Sequence, residues 1–382
     1  MAAILITSIL LLLYSLVLFP VILLVVAARK REAEWKIPND ADLPSMELFI
    51  SARNEQAAIA KKIENSLQLR YPRDRLQVTV LANGCTDGTV EIGRRYEDRG
   101  VRVYEYGEIG KTEAQNRGVD DSQAEILAFT DANTLFEVDA LVRLVAPFAD
   151  DTIGAVSGRH RYRNNGRASE ATESAYWNIF ETVLKRAESA TGGLIGANGS
   201  IYALRREHYI PLPSDVISDL MEPLLIAAKG FRTVYVVDAV AWETAEEEFK
   251  AELARKERIV RRSVASLFKY PELLNPLRHG RLACLLWSHK VLRWLSPFLV
   301  GMVLVGSTLR ILIGRGRTAD LFLFGGSSIA GFFALLGRGL GTEKPIPLLS
   351  HAYYIFLMLR AAFKGVYRAI AYGSQTTWNH TR

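Results

Sequence analysis

An α/β fold with a mostly parallel sheet, flanked by apolar helices towards both ends of the chain, is what the sequence predicts. Three observations carry that expectation. Between residues 46 and 158, apolar runs of strand length alternate with segments of helical spacing, the pattern of a sheet covered on both faces. Residues 2–28 are apolar and carry no charged side chain. Positive charge collects beside further apolar runs: residues 277–382 hold 13 Lys/Arg against 2 Asp/Glu, whereas the whole chain carries only +6.

The first apolar run is long enough to cross the ~30 Å hydrocarbon layer as a helix, and Pro20 is tolerated in such a span. Arg29, Lys30 and Arg31 follow at once. The positive-inside rule then places the N-terminus outside and the chain from residue 32 onward in the cytoplasm. A cleaved signal peptide is the competing reading, but the apolar run is long for one and lacks a basic n-region.

Near the other end, Trp294–Ile313 and Ala319–Leu336 read as two spans joined by the Gly314-Arg315-Gly316-Arg317 loop, whose charge fits an exterior position poorly. Arg281–Arg293 mixes Leu, Trp287, Lys290 and Arg293, the composition of an interfacial helix. Ile346–Leu359 is either a third span or a second interfacial helix. The expected organisation is therefore an anchor at 1–31, a cytoplasmic domain at 32–276 and interfacial and transmembrane helices at 277–382. Together these place the protein in the cell inner membrane as a multi-pass protein.

Composition narrows the classes further. Two cysteines, Cys85 and Cys284, exclude a disulfide framework and a Cys-rich zinc site. The basic excess lies beside apolar runs rather than on the middle of the chain, which argues against a nucleic-acid partner.

Within the middle, Met46–Ser51, Leu76–Ala82, Val101–Glu105, Glu125–Thr130 and Ile153–Gly158 read as strands, and residues 55–68, 88–98, 112–121 and 137–148 as helices. Open parallel sheets bind ligands beyond the carboxyl ends of their strands. Polar clusters follow three of them: Ala52-Arg53-Asn54-Glu55, Asn83-Gly84-Cys85-Thr86-Asp87-Gly88-Thr89, and Asp131-Ala132-Asn133. Each alone reads as a turn; together they read as one crevice.

With Tyr71-Pro72, Gly110-Lys111, Asn116-Arg117-Gly118, Gly196-Ala197-Asn198-Gly199, Ser218-Asp219 and the basic helix Arg255–Arg262, these clusters make the chain resemble the family 2 glycosyltransferases from about Leu48 to Phe268. That resemblance implies a Rossmann-like, nucleotide-sugar-binding (GT-A-like) catalytic domain and an inverting hexosyltransferase using a nucleotide sugar, with UDP-sugar the expected donor. It implies Asp219 as the catalytic base and a divalent cation, Mn or Mg, at Asp131 and Asn133. The donor would be held by Glu55, Asn83, Asp87, Lys111, Asp131, Arg258, Arg261 and Arg262. The sequence departs from the family pattern where Asn83 and Asn133 stand for Asp, and where Arg262 stands for Trp after the Gln-x-x-Arg positions.

Bland readings stay open beside these. Asp219 could cap a helix, Lys111 could be solvated, and the arginines could face anionic headgroups. Trp177 and Trp242 could stack on sugar or fill core. The expected acceptor is a hydroxyl of a lipid or lipid-linked saccharide at the membrane surface. A processive polysaccharide synthase and a weakly catalytic nucleotide-sensing membrane module are the alternatives.

Overall fold

The computed structural model describes residues 2–30, 33–163, 180–244, 249–316, 318–340 and 347–374. Arg31 and Trp177 lie outside them. By its internal contacts the chain divides into an α/β unit, Val26–Arg163 with Tyr176–Thr244 and Ser374–Arg382, and a helical unit, Met1–Val25 with Asn164–Ala175 and Ala245–Gly373.

The α/β unit is built on an eight-stranded sheet among the described residues. Its strands are β1 (Met46–Ala52), β2 (Leu76–Asn83), β3 (Val101–Tyr106), β4 (Ile126–Asp131), β5 (Thr134–Phe136), β6 (Ile153–Arg163), β7 (Tyr202–Arg205) and β8 (Arg232–Thr244), in the spatial order β3-β2-β1-β4-β7-β6-β8-β5. Strands β3, β2, β1 and β4 are parallel, as are β6 and β8; β7 and β5 run against their neighbours. Every residue of β1 is buried, as expected of a central strand covered on both faces.

The five strands legible in the sequence are present within a few residues. Three further strands escaped that reading. β5 and β7 span three and four residues, too few to show a period. In β8 the alternation is interrupted where the register jumps from Gly158↔Val236 to Arg159↔Val240, bulging out Val237, Asp238 and Ala239. Gly158 is demanded there: a Cβ would lie 2.6 Å from the Ala239 carbonyl oxygen.

Two apolar layers hold the sheet. One face packs Ile59, Ile63 and Leu67 of the Ile59–Leu67 helix against Leu48, Ile50 and Val80. On the other, Phe129 stacks between Phe49 (5.4 Å) and Tyr202 (5.0 Å). The Lys111–Asp120 helix lies on this second face and approaches closely at Gly118, where a Cβ would meet Leu81 at 2.8 Å and Phe49 at 3.1 Å.

Among the described residues of the helical unit, two helices are long and apolar enough to cross a bilayer: Ala2–Ala28, most of which lies in this unit, and Pro276–Leu312. The second takes in the expected interfacial segment and the first expected C-terminal span, with a break at Gly280. The Thr318–Leu340 helix packs beside it, with an apolar stretch, Thr318–Phe333, shorter than a full span. Arg310 Nε donates to both oxygens of Asp320 at 3.1 and 3.2 Å, so the charged connection between the two helices carries its own counter-ion. The Phe249–Lys269 helix packs on the Pro347–Tyr372 helix through Val264, Ala265, Val366 and Ala369. Gly365 allows the approach, since a Cβ there would lie 2.7 Å from Val260.

Candidate active site

Parallel register brings the polar clusters to one edge of the sheet. Ala52 of β1 lies opposite Ala82 of β2, and Ser51 opposite Asp131 of β4. Because β7 is antiparallel to β4, the Gly196–Gly199 loop that precedes it reaches the same edge. Strands β6 and β8 end there too, and β5 begins there.

The β1 and β2 loops are stitched together. Asn54 adopts a left-handed backbone (φ 53°), and its side-chain oxygen accepts from the Thr86 N–H at 2.8 Å. Glu55 is buried, and its N–H donates to Thr89 Oγ1. Burial would raise the Asp87 carboxyl, but hydrogen bonds from the Thr89 hydroxyl, the Gln56 N–H and the Thr89 N–H outweigh it and hold the group below its ordinary range. Asp87 Oδ1 therefore braces the entry to the Thr89–Arg94 helix, while Oδ2 holds the Gln56 backbone after β1. Asn83 is also buried, and its oxygen accepts from the N–H groups of Ile109 and Gly110 at 2.9 and 3.1 Å. Its amide Nδ2 is buried as well and makes no hydrogen bond.

That Asn83 clamp sets the start of the Lys111–Asp120 helix. Lys111 Nζ lies 2.5 Å from Asp131 Oδ1. Farther along, Thr112 donates to the Val216 carbonyl at 2.7 Å, and Ser218 Oγ pairs with Gln115 Oε1 at 2.7 Å. One helix thus joins the Asp131 strand end to the Ser218–Ala228 helix.

Asp219 stands in the first turn of that helix, partly exposed. The N-cap position is Ile217, so the capping role does not fall to Asp219. Its side chain lies against Gly199, where a Cβ would meet Asp219 Oδ2 at 2.5 Å, and the Asp219 carbonyl accepts from the Ala197 N–H at 2.8 Å. Asn198 anchors this loop: its N–H donates to Ser157 Oγ, its amide to the Gly158 carbonyl, and its side-chain oxygen accepts from Lys185. Thr130 donates to the Ser200 carbonyl at 2.8 Å. The residue before Asp131 is therefore bonded to the residue after Gly199, which itself lies against Asp219.

Sequence reasoning missed three charged groups here. Lys62 is fully buried, donates to Thr130 Oγ1 at 3.1 Å and sits 3.9 Å over the Phe136 ring; burial lowers its pKa to about 7, against the pull of Asp131. Its signal was a lysine among the apolar positions Ile59, Ile63 and Leu67 of one helix face. Glu243 of β8 accepts from Asn133 Nδ2 at 3.0 Å. Glu222, one turn beyond Asp219, is buried and lifted to about 8, first by burial and further by Asp219, against the Tyr202 hydroxyl and Lys111.

The Glu222 shift has a measurable consequence. Between pH 4.5 and about 8 the folded protein holds a proton that the unfolded chain has lost, so stability falls as pH rises through that window and levels above it. Thermal melts across this range should show that fall, and Glu222→Gln should flatten it. An unchanged slope would count against a protonated Glu222.

Trp242 is largely engaged: its indole N–H donates to Glu137, and Arg161 lies 4.4 Å over its ring. Arg258, Arg261 and Arg262 belong to the Phe249–Lys269 helix of the helical unit, where Arg261 Nε donates to the Gly373 carbonyl at the end of the Pro347–Tyr372 helix.

The donor set at the strand end suits a hard cation. Asp131 offers a partly exposed carboxylate and Asn133 a carbonyl oxygen, and the described residues hold no cluster of three His, Cys, Asp or Glu able to cage an ion alone. One or two protein oxygens, with diphosphate completing the shell, is how Mg-type ions are commonly held. The residues fit such a group.

A sequence profile described as "Glycosyltransferase like family 2" matches residues 44–261, more than half of the chain. The chain belongs to this glycosyltransferase family. Among its relatives, the glycosyltransferase is 32% identical over 145 residues to the beta-monoglucosyldiacylglycerol synthase of Nostoc sp., covering 37% of this chain and 31% of that protein. It is 21% identical over 211 residues to the poly-beta-1,6-N-acetyl-D-glucosamine synthase of Staphylococcus aureus, covering 53% and 51%. The chain spans between about a third and a half of the length of these two curated relatives. A mannosyltransferase from Pyrobaculum calidifontis, solved with GDP-Man and Mn2+, shares the fold with a TM-score of 0.72 at 21% identity, covering 96% of this chain and 99% of its own. The chain therefore pairs a family 2 glycosyltransferase sequence with a GT-A-like fold.

Proposed function

We propose that this glycosyltransferase is an inverting enzyme that moves a hexose from a nucleoside diphosphate sugar to a hydroxyl of a lipid or lipid-linked acceptor at a membrane surface. The observation that carries the reading is the partly exposed Asp219, packed on Gly199 and tied through the Lys111–Asp120 helix to the Lys111–Asp131 pair. In such a transfer the acceptor oxygen bonds to the anomeric carbon as the sugar–phosphate bond breaks, and the hydroxyl proton passes to the Asp219 carboxylate. Lys111 stands where it can leave Asp131 and follow the negative charge that grows on the leaving diphosphate. Asp131 and Asn133 would hold the cation, which when bound neutralises the same charge. Asn83 and Glu55, both buried at the ends of neighbouring strands, would line the donor pocket, the Asn83 amide Nδ2 being without a hydrogen bond until the donor enters.

The membrane acceptor draws support from the two long apolar helices and from a relative named as a diacylglycerol glycosyltransferase. A UDP-sugar and a GDP-sugar are the donors to compare first, the second because the mannosyltransferase neighbour was solved with GDP-Man. A processive synthase is favoured by the polymer-forming Staphylococcus relative. Detergent-solubilised protein incubated with both donor classes and extracted lipids, followed by mass spectrometry, separates these readings. A lipid gaining one hexose is the expected product, and a ladder of hexose additions would support the synthase. No glycosylated product from any pair, with nucleotide still bound, would sink the transfer reading.

A further inference from the structure

Position 133 carries a neutral side chain where a cation site gains most from charge, and the structure places a carboxylate directly behind it. Asn133 immediately precedes β5, and β5 pairs antiparallel with β8 so that Thr134 faces Glu243. Glu243 Oε1 accepts from Asn133 Nδ2 at 3.0 Å, and its other oxygen lies 3.0 Å from His160 Nε2 on β6. The Glu243 side chain is only 14% exposed.

We propose that Glu243 is a positioning residue for the cation site, supplying the negative charge that the Asp131-Ala132-Asn133 motif lacks and fixing which way the Asn133 amide points. The inference rests on the reading of Asp131 and Asn133 as the cation-holding pair.

Two physical arguments support it. An ionised carboxylate can only accept hydrogen bonds, whereas an amide has one donating and one accepting end. Glu243 therefore holds the Asn133 NH2 group, and the carbonyl oxygen, which accepts a long bond from the Thr134 hydroxyl at 3.4 Å, keeps a lone pair for a ligand. Without that partner the amide can flip and present N–H to a cation, which repels it. The second argument is charge. Replacing the second acidic residue of a D-x-D pair by Asn removes one negative charge from the site; a carboxylate in hydrogen-bond contact with that Asn, its other oxygen against His160, places one a shell outward. The sequence hid this arrangement, since Asn133 and Glu243 are 110 positions apart and meet only through strand pairing.

The test is Mn2+ binding in the presence of nucleoside diphosphate, read by electron paramagnetic resonance on the full-length protein, with thermal melts on each variant. Glu243→Gln should weaken Mn2+ binding about tenfold, within the range seen when outer-shell partners of a metal site are changed. The charge swap Asn133→Asp with Glu243→Gln should bring the affinity back to within about twofold of wild type, because the pair again holds one carboxylate and one amide. Should Glu243→Gln fail to fold, Glu243→Asp and the swap carry the comparison, with affinity held by the swap and reduced by the shortened side chain. Asp131→Asn is the separate check on the underlying reading. If Asp131→Asn weakens Mn2+ binding while Glu243→Gln and Glu243→Asp leave it unchanged, the role of Glu243 is overturned and the cation site stands. If Asp131→Asn also leaves Mn2+ binding unchanged, the cation site itself is misplaced and the Glu243 proposal falls with it. A lowered melting temperature with unaltered Mn2+ affinity would reduce Glu243 to a sheet-pairing residue.

Discussion

Asp219→Asn should abolish glycosyl transfer while leaving the protein folded and able to bind nucleotide. Asn is nearly the same size, so the contact with Gly199 and the backbone bond from Ala197 to the Asp219 carbonyl survive. What disappears is the only property the proposed chemistry asks of this side chain, the capacity to take a proton from the acceptor hydroxyl as the new bond forms. General bases contribute about 10²–10⁴-fold to rate, and a fall of that size in kcat, with KM for the donor little changed, is the expected kinetic signature. The substitution also removes a negative charge that helps to raise Glu222, so the pH window over which stability falls should end at a lower pH. Transfer at more than about a tenth of the wild-type rate would exclude Asp219 as the base.

The second large effect belongs to Asp131. Asp131→Ala deletes the carboxylate at the end of β4 and leaves Lys111 without its 2.5 Å partner. The cation-dependent part of donor binding should be lost, with an affinity decrease of at least about 10- to 100-fold, since even outer-shell changes at metal sites reach that range. Calorimetric titration of UDP and GDP with and without Mn2+ measures it. In wild type the two titrations should differ strongly; in the variant they should coincide at the weaker value. A wild-type affinity indifferent to Mn2+ would remove the cation from the reading altogether. Because Lys62 is buried beside the same strand end and feels Asp131 as a favourable charge, the variant should also lose some thermal stability near neutral pH, where that lysine is partly protonated.

Part of the site was legible from the chain alone. Strand-length apolar runs ending in Asn54-Glu55, Asn83 and Asp131 announced that these polar clusters would share one edge, because a parallel sheet exposes its carboxyl ends together, and the pairing of Ser51 with Asp131 and of Ala52 with Ala82 matches that expectation. Other assignments could not be read that way. Asp87 reads in the sequence only as a ligand candidate, and the fold adds that its oxygens also accept from Thr89 and Gln56. Asn83 looked able to donate and accept, yet its oxygen is spent on the backbone of Ile109 and Gly110. Side-chain hydrogen-bond partners of this kind depend on where loops close in space, which local periodicity does not encode.

The sequence by itself determined the alternation of elements, the apolar helices and the positions of the polar clusters, since all three follow from hydrophobic period, chain stiffness and turn chemistry acting over a few residues. Only the tertiary structure decided that Lys62 lies beneath Thr130, that Glu222 is buried a turn beyond Asp219, and that Glu243 stands against Asn133. Those contacts join residues on separate elements or set how deeply one is buried, and sheet register, fixed by the collective packing of both apolar faces, is what brings them together.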